Sequence, residues 1–291
     1  MNTSEPAATL ASLREWVGRT ERRTDTVTAA PLAAFAATLD RADPTPVAGT
    51  PLPPLAHWLY FLPVARRSTI GADGHTLRGG FLPPVALPRR MWAGGRLRFH
   101  HDLQVGDELV RTSTIQSVDA KDGRTGALVF VTVRHEVSNA AGIALVEEHD
   151  IVYRGHPPPG AVPAVPAMAP IDEGFSRGVV PDPVLLFRYS ALTFNGHRIH
   201  YDRPYATEVE GYPGLIVHGP LIATLLVDLL QRECPDARVR AFDFKAASPL
   251  FDTEPFTLCG RLERSDAAIG AALWARNPQG RLAMHARSEL V

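Results

Sequence analysis

Between Asn195 and Asp202 the chain gathers an amide, two imidazoles and a carboxylate in eight residues: Asn195, His197, His200 and Asp202, with Arg198 and Arg203 beside them. Imidazole is the side chain whose ordinary pKa lies nearest neutrality, so His197 and His200 can give or take a proton at working pH. Asn195 can orient a water but cannot accept a proton from it. A short gap then leads to His218-Gly219-Pro220, which opens a stretch with Leu221, Ile222, Leu225, Leu226, Leu229 and Leu230. Pro220 suits a first helical turn, and the helix is apolar almost all round, so burial is expected. The N–H groups at its start, Gly219 first, suit an oxygen on which negative charge develops. Activation of a water beside an oxyanion-binding helix end is the chemistry these residues allow. His218 reads equally well as a brace for the loop before the helix, and Asp202 as a turn or helix cap.

The elements that position this set fall in two halves. Pro157 to Pro170 is too rich in proline to hold a helix or enter a central strand. It marks a linker, taken over 157–182, between an N-terminal unit, 1–156, and a C-terminal unit, 183–291. Val129, Val131, Val133 and Val137 alternate with Phe130, Thr132, Arg134 and Glu136, as on a strand with one buried face. The turn at Asn139-Ala140-Ala141-Gly142 returns a partner strand over 143–153. The C-terminal unit repeats the scheme with strands over 238–246, 256–264, 267–276 and 281–290, which suggests a duplicated unit. Leu10, Leu13, Trp16 and Val17 form one helical stripe, and Pro31 opens a second helix through Leu39. Pro51-Leu52-Pro53-Pro54, before Leu55 to Leu62, predicts a shortened central helix in the first unit. These patterns predict an α+β architecture of long antiparallel sheets around central helices.

Composition narrows the partners. Thirty Lys and Arg against 31 Asp and Glu give a net charge of −1, so no electrostatic case exists for nucleic acid or an acidic membrane. No apolar run approaches the roughly 20 residues of a membrane helix, and the start has no secretory pattern, which predicts a cytoplasmic protein. The two cysteines, Cys234 and Cys259, form no metal knuckle and read as core residues. No GxGxxG, GxxxxGK[ST], GxSxG or HExxH string occurs, which removes nucleotide-dependent, serine-hydrolase and zincin readings.

The string ALTFNGHRIHYDRPYA over 191–206, with Leu215-Ile216-Val217-His218-Gly219, resembles the motif of MaoC-like enoyl-thioester hydratases. It is most similar to the subgroup containing hydroxyacyl-thioester dehydratase type 2 and mesaconyl-C4-CoA hydratase. Gly79 to Pro84 and Arg89 to Gly95 are similar to that subgroup's N-terminal domain. The resemblance implies a double hot-dog: two long antiparallel sheets, each wrapping a central helix, with the site in the second half. It also implies reversible hydration of a short enoyl-CoA, foremost mesaconyl-C4-CoA to citramalyl-CoA, with itaconyl-CoA or a straight-chain 2-enoyl-thioester as rivals. CoA is then part of the substrate, no cofactor or metal is needed, and a homodimer is the expected assembly. By the same resemblance His200 is the base, Gly219 binds the thioester oxygen, and Asn195 stands where the family carries Asp. His197 becomes a second acid or an orienter of Asn195. Arg198, Arg203 and His218 are the expected substrate contacts, and Arg89, Arg90 and Arg96 read equally well as contacts to the nucleotide of CoA or as a surface charge cluster. A thioesterase, or a subunit that binds acyl-CoA without turnover, are the readings from other classes.

Overall fold

The computed structural model describes residues 10–77, 79–123, 126–155, 165–264 and 269–291. Its strands are β1 (Thr20–Thr26), β2 (Arg89–Phe99), β3 (Glu108–Gly123), β4 (Gly126–Asn139) and β5 (Gly142–Arg154) in the first half. The second half supplies β6 (Phe175–Val179), β7 (Val239–Ala246), β8 (Phe256–Arg264), β9 (Ile269–Arg276) and β10 (Leu282–Leu290). The helices are α1 (Leu10–Arg14), α2 (Ala29–Thr38), α3 (Pro183–Leu192) and α4 (Gly219–Glu233).

All ten strands form one antiparallel sheet in the order β1-β3-β4-β5-β2-β7-β10-β9-β8-β6. Read outward from the middle, each half repeats the other: a joint strand, a three-stranded meander in reverse order, and an edge strand. The duplication expected from the turns is thus present in the topology. The two expected sheets are, however, fused, because β2 pairs with β7 from Gly94↔Lys245 to Arg98↔Ala241. The joint needs glycine. A Cβ on Gly94 would stand 2.5 Å from the Phe244 carbonyl oxygen, and one on Gly95 would meet the Phe244 ring at 2.8 Å.

The second correction concerns the central helices. α4 is a full one, with Leu221 through Leu230 buried without a break, each large aliphatic side chain contributing about 2 kcal/mol by transfer from water. Its counterpart in the first half is one 3-10 turn, Ala56–Leu59. Pro51, Pro53 and Pro54 cannot supply helical N–H groups, and Leu55 takes a left-handed φ of 71°, so nothing longer propagates. The prediction of a shortened helix holds, and the picture of a central helix in each half does not.

The linker also ends earlier than the proline count suggested. Residues 157–164 lie outside the described residues, but Met168 already bridges to Arg281. Phe175–Val179, free of proline, is a strand paired with β8. α3 starts at Pro183 under an Asp182 cap that accepts from the N–H groups of Val184 and Leu185. Asp228, buried on α4, ties the halves together: it binds Arg41 of the first half at 2.7 Å, Arg177 of β6 at 2.8 Å and Arg232 at 2.9 Å. Cys234 and Cys259 are free thiols. No helix among the described residues is long and apolar enough to cross a membrane.

Candidate active site

α3 ends at Leu192, and the chain turns away through Phe194 at a φ of 49°. The Asn195 N–H donates back to the Ser190 carbonyl at 2.8 Å. The Asn195 side-chain oxygen accepts from the His197 N–H at 3.0 Å, so its carbonyl shapes the turn. A single 3-10 turn, Arg198–His200, follows. It is pinned to the segment before α4 by a reciprocal pair of bonds. Ile216 N–H donates to Ile199 O at 2.9 Å, and His200 Nδ1 lies 2.7 Å from Ile216 O.

That second bond settles the tautomer. A carbonyl only accepts, so Nδ1 carries the hydrogen and Nε2 of His200 presents a lone pair. Burial pushes the His200 pKa down to about 4, which keeps the ring neutral at pH 7. Its face stacks on His218, with centroids 3.7 Å apart at 18°. His218 is fully buried, and its Nε2 meets the Ser190 hydroxyl at 2.8 Å. Burial also holds His218 well below its ordinary pKa. Its Nδ1 is buried with no hydrogen-bond partner among the described residues. Gly219, next in line, is the first residue of α4, and a Cβ there would meet nothing within 4 Å. His197 packs edge-on against His200 at 5.4 Å.

The structure therefore brings His197, His200, His218 and Gly219 together around the start of α4, with Asn195 in the turn that precedes them. It engages the expected arginine contacts elsewhere. Arg198 pairs with Asp202, donates to Ala72 O at 3.0 Å and lies over the Tyr205 ring. Arg203 pairs with Asp252, whose other oxygen accepts from Leu215 N–H at 2.8 Å. Asp202 does cap, accepting from Tyr205 N–H at 3.2 Å. In the first half, Arg89 is bound to Glu210, and Arg96 to Glu148 and Asp150.

Three side chains passed over in the sequence stand in or beside the site. Ser190 orients His218. Asp73 and His75 reach it from a loop of the first half: His75 Nδ1 lies 2.9 Å from Asp73 Oδ2, and the His75 and His197 rings are 4.0 Å apart. The signal was a Asp-Gly-His turn just before Gly79-Gly80, with no periodicity to tie it to residues more than a hundred positions away. A separate buried network also escaped notice. In the first half Glu147 accepts from Trp58 and sits 3.0 Å from His57.

A ten-stranded antiparallel sheet built from two repeats, with one complete central helix, defines a double hot-dog protein, and the candidate site lies at the start of that helix. Solved structures agree on the fold. A MaoC-like dehydratase superposes with a TM-score of 0.72 at 15% identity, covering 97% of this chain and 99% of that one. A Mycobacterium tuberculosis protein described as having a double hotdog fold superposes at 0.60 with 14% identity, over 94% of this chain and 96% of that one. In sequence, residues 55–252 match the family model of hydroxyacyl-thioester dehydratase type 2. The chain is 48% identical over 277 residues to mesaconyl-C(4)-CoA hydratase of Chloroflexus aurantiacus, which covers 94% of this chain and 96% of that protein. It is 28% identical over 234 residues to the mitochondrial hydroxyacyl-thioester dehydratase type 2 of Schizosaccharomyces pombe, covering 72% and 78% respectively. The chain belongs to the hydroxyacyl-thioester dehydratase type 2 family of MaoC-like proteins and is a hydro-lyase of the hydratase/dehydratase type.

Proposed function

We propose that this protein adds water reversibly to mesaconyl-C4-CoA to give citramalyl-CoA. The 48% identity to a mesaconyl-C(4)-CoA hydratase, spread over almost the whole of both chains, carries the choice of substrate. The site supplies the means. His200 Nε2 takes a proton from a water that the Asn195 amide orients, and the oxygen attacks the β-carbon. Charge moves to the thioester oxygen, where the Gly219 N–H at the start of α4 holds it. The proton then reaches the α-carbon. Nothing is oxidised or reduced, so the balance calls for no redox cofactor, and CoA enters and leaves as part of the substrate. His218 supports the His200 ring by stacking, and His197 lines the same row. Assembly as a homodimer is proposed on kinship alone and is read by light scattering.

The test is incubation of the protein and its His200→Ala variant with mesaconyl-C4-CoA, itaconyl-CoA and crotonyl-CoA, with products weighed by mass spectrometry. The expected result is gain of one water on mesaconyl-C4-CoA, slowed about 10²–10⁴-fold in the variant, the usual worth of a general base. Release of free thiol, or hydration of crotonyl-CoA in preference to both C5 substrates, overturns the reading.

A further inference from the structure

The motif segment carries no side chain able to take a proton other than its histidines and Asp202, and Asp202 is engaged with Arg198 and the Tyr205 N–H. A carboxylate nonetheless stands at the site, and it comes from the other half of the chain. The 71–76 loop is docked onto the motif at three points. Arg198 N–H donates to Asp73 O at 2.9 Å, Arg198 Nη1 donates to Ala72 O at 3.0 Å, and Gly74 lies so near Gly196 that a Cβ on it would fall 1.8 Å from the Gly196 carbonyl oxygen. The docking delivers His75 to His197, the two rings tilted at 41°, so that His75, His197, His200 and His218 follow one another with centroid steps of 4.0, 5.4 and 3.7 Å.

We infer that Asp73 and His75 are the second acid–base pair of the site, with His75 giving the α-carbon its proton while His200 takes one from water. The inference rests on the hydratase reading above. Asp73 Oδ2 accepts from His75 Nδ1 at 2.9 Å and its Oδ1 from the His75 N–H at 3.0 Å. A carboxylate held on Nδ1 fixes the ring tautomer and stabilises the imidazolium, and Nε2 exchanges the proton. Among the described residues, the groups facing His75 include Asp73 on its own loop, His197 and His200 on the motif, and Arg198, which grips the loop backbone. Arg90 of β2 adds its positive charge near His197. Asp73 is a carboxylate counter-charge held directly on His75. Burial keeps His197 and His200 neutral, and His75 in turn holds the Asp73 carboxyl well below the usual carboxylate range.

The proton count closes. Water gives H⁺ to His200 and OH to the β-carbon, and His75 gives H⁺ to the α-carbon. His200 then loses its extra proton to solvent and His75 takes one from solvent as the product leaves, and the pair is reset. A metal held by Asp73, His75 and His197 fits the donor set, since their ligand atoms lie within 4.8 Å of one another. It fits the rings less well. Two imidazoles on one tetrahedral zinc place their centroids about 5 Å apart, and these stand at 4.0 Å.

His75→Gln and Asp73→Asn test the pair. Against mesaconyl-C4-CoA, His75→Gln is expected to lower kcat about 10²-fold or more with KM little changed, and to remove one limb of the pH profile of kcat/KM. Asp73→Asn is expected to keep that limb but shift it to lower pH, because the imidazolium loses its carboxylate. A purely structural loop would give a uniform loss with the wild-type profile, and that result overturns the inference. A second readout is independent of turnover. In nitrogen NMR of the protein without substrate, His75 should titrate, and at higher pH in wild type than in Asp73→Asn. A His75 resonance that does not titrate, or titrates identically in both, overturns the pair even if the hydratase reading stands. A wild-type protein that hydrates nothing while His75 titrates as expected removes the reaction, and with it the acid role. Zinc or cobalt taken up stoichiometrically, and lost in His75→Gln, would replace the acid–base pair with a metal site.

Discussion

Gly74→Ala is the most searching single substitution this fold offers, because it attacks the contact between the halves without removing any functional group. Gly74 has a φ of +90°, and the added Cβ would stand 1.8 Å from Gly196 O, roughly 1.5 Å inside van der Waals contact. The neighbour is backbone, so the loop must back away by about that distance. A retreat of that size carries the 2.9 Å bond from Arg198 N–H to Asp73 O and the 3.0 Å bond to Ala72 O beyond hydrogen-bonding range. Each lost bond costs about 1 kcal/mol, and the left-handed backbone costs another 1–2 kcal/mol. Asp73 and His75 move more than an ångström from the histidine row, a misplacement of the kind that costs about 10²-fold in rate. The assay pairs steady-state hydration kinetics with a thermal melt, and Gly18→Ala is the control, because Gly18 has a φ of +85° with nothing within 4 Å of a Cβ. Gly74→Ala should lose about 10²-fold in kcat/KM together with roughly 5–10 °C in Tm, whereas Gly18→Ala should lose a smaller amount of stability and no activity at temperatures where both remain folded. A Gly74→Ala enzyme within threefold of wild type would refute the claim that the docked loop belongs to the site.

Gly219→Ala should leave Tm unchanged, since its Cβ meets only open space, yet lower kcat/KM at least about tenfold, because that space is where the thioester oxygen must approach the helix end; wild-type turnover would place the thioester elsewhere. Asp228→Asn leaves Arg41, Arg177 and Arg232 without their shared carboxylate. Breaking such a buried cluster costs about 3 kcal/mol, and a fall in Tm of roughly 5–10 °C is expected by calorimetry. Acid should unfold the protein steeply. Burial lowers His200 and His149 to about 4 and His135 to about 3, from 6.5. A lowered histidine pKa means the unfolded chain binds the proton first, so this stability is whole above pH 6.5 and drains as pH falls toward 4. With three such rings the loss approaches roughly 4 kcal/mol per pH unit between pH 6 and 5. Urea titrations at those two values measure it, and an uptake of one proton or fewer on unfolding would contradict the assignment of neutral buried rings.

What was legible in the chain divides by the range of the interaction that carries it. α4 could be read because its leucines and Ile222 bury on every side, and the meanders because Val129, Val131, Val133 and Val137 face one way. β1, by contrast, is Thr-Glu-Arg-Arg-Thr-Asp-Thr with alternate residues exposed. As an edge strand it pairs by backbone alone and leaves no apolar period to read. β2 went unread for the opposite reason: its Gly94 and Gly95 serve the close approach to β7, and glycine in a strand reads as a break. The same rule governs the site. His197, His200 and Gly219 announce themselves because each lies in a local string, and they do meet. Asp73 and His75 have no local signature, since their meaning depends on a carbonyl at Gly196 and a guanidinium at Arg198, which only the folded chain supplies. The arginines erred the other way. Arg203 looked available because its ion-pair partner Asp252 is 49 positions away, and Arg198 because Asp202, only four positions on, read as a cap and not as a partner. In a duplicated fold whose halves share one sheet, each half's motif records its own chemistry, and the chemistry between the halves is written in contacts that no motif spans.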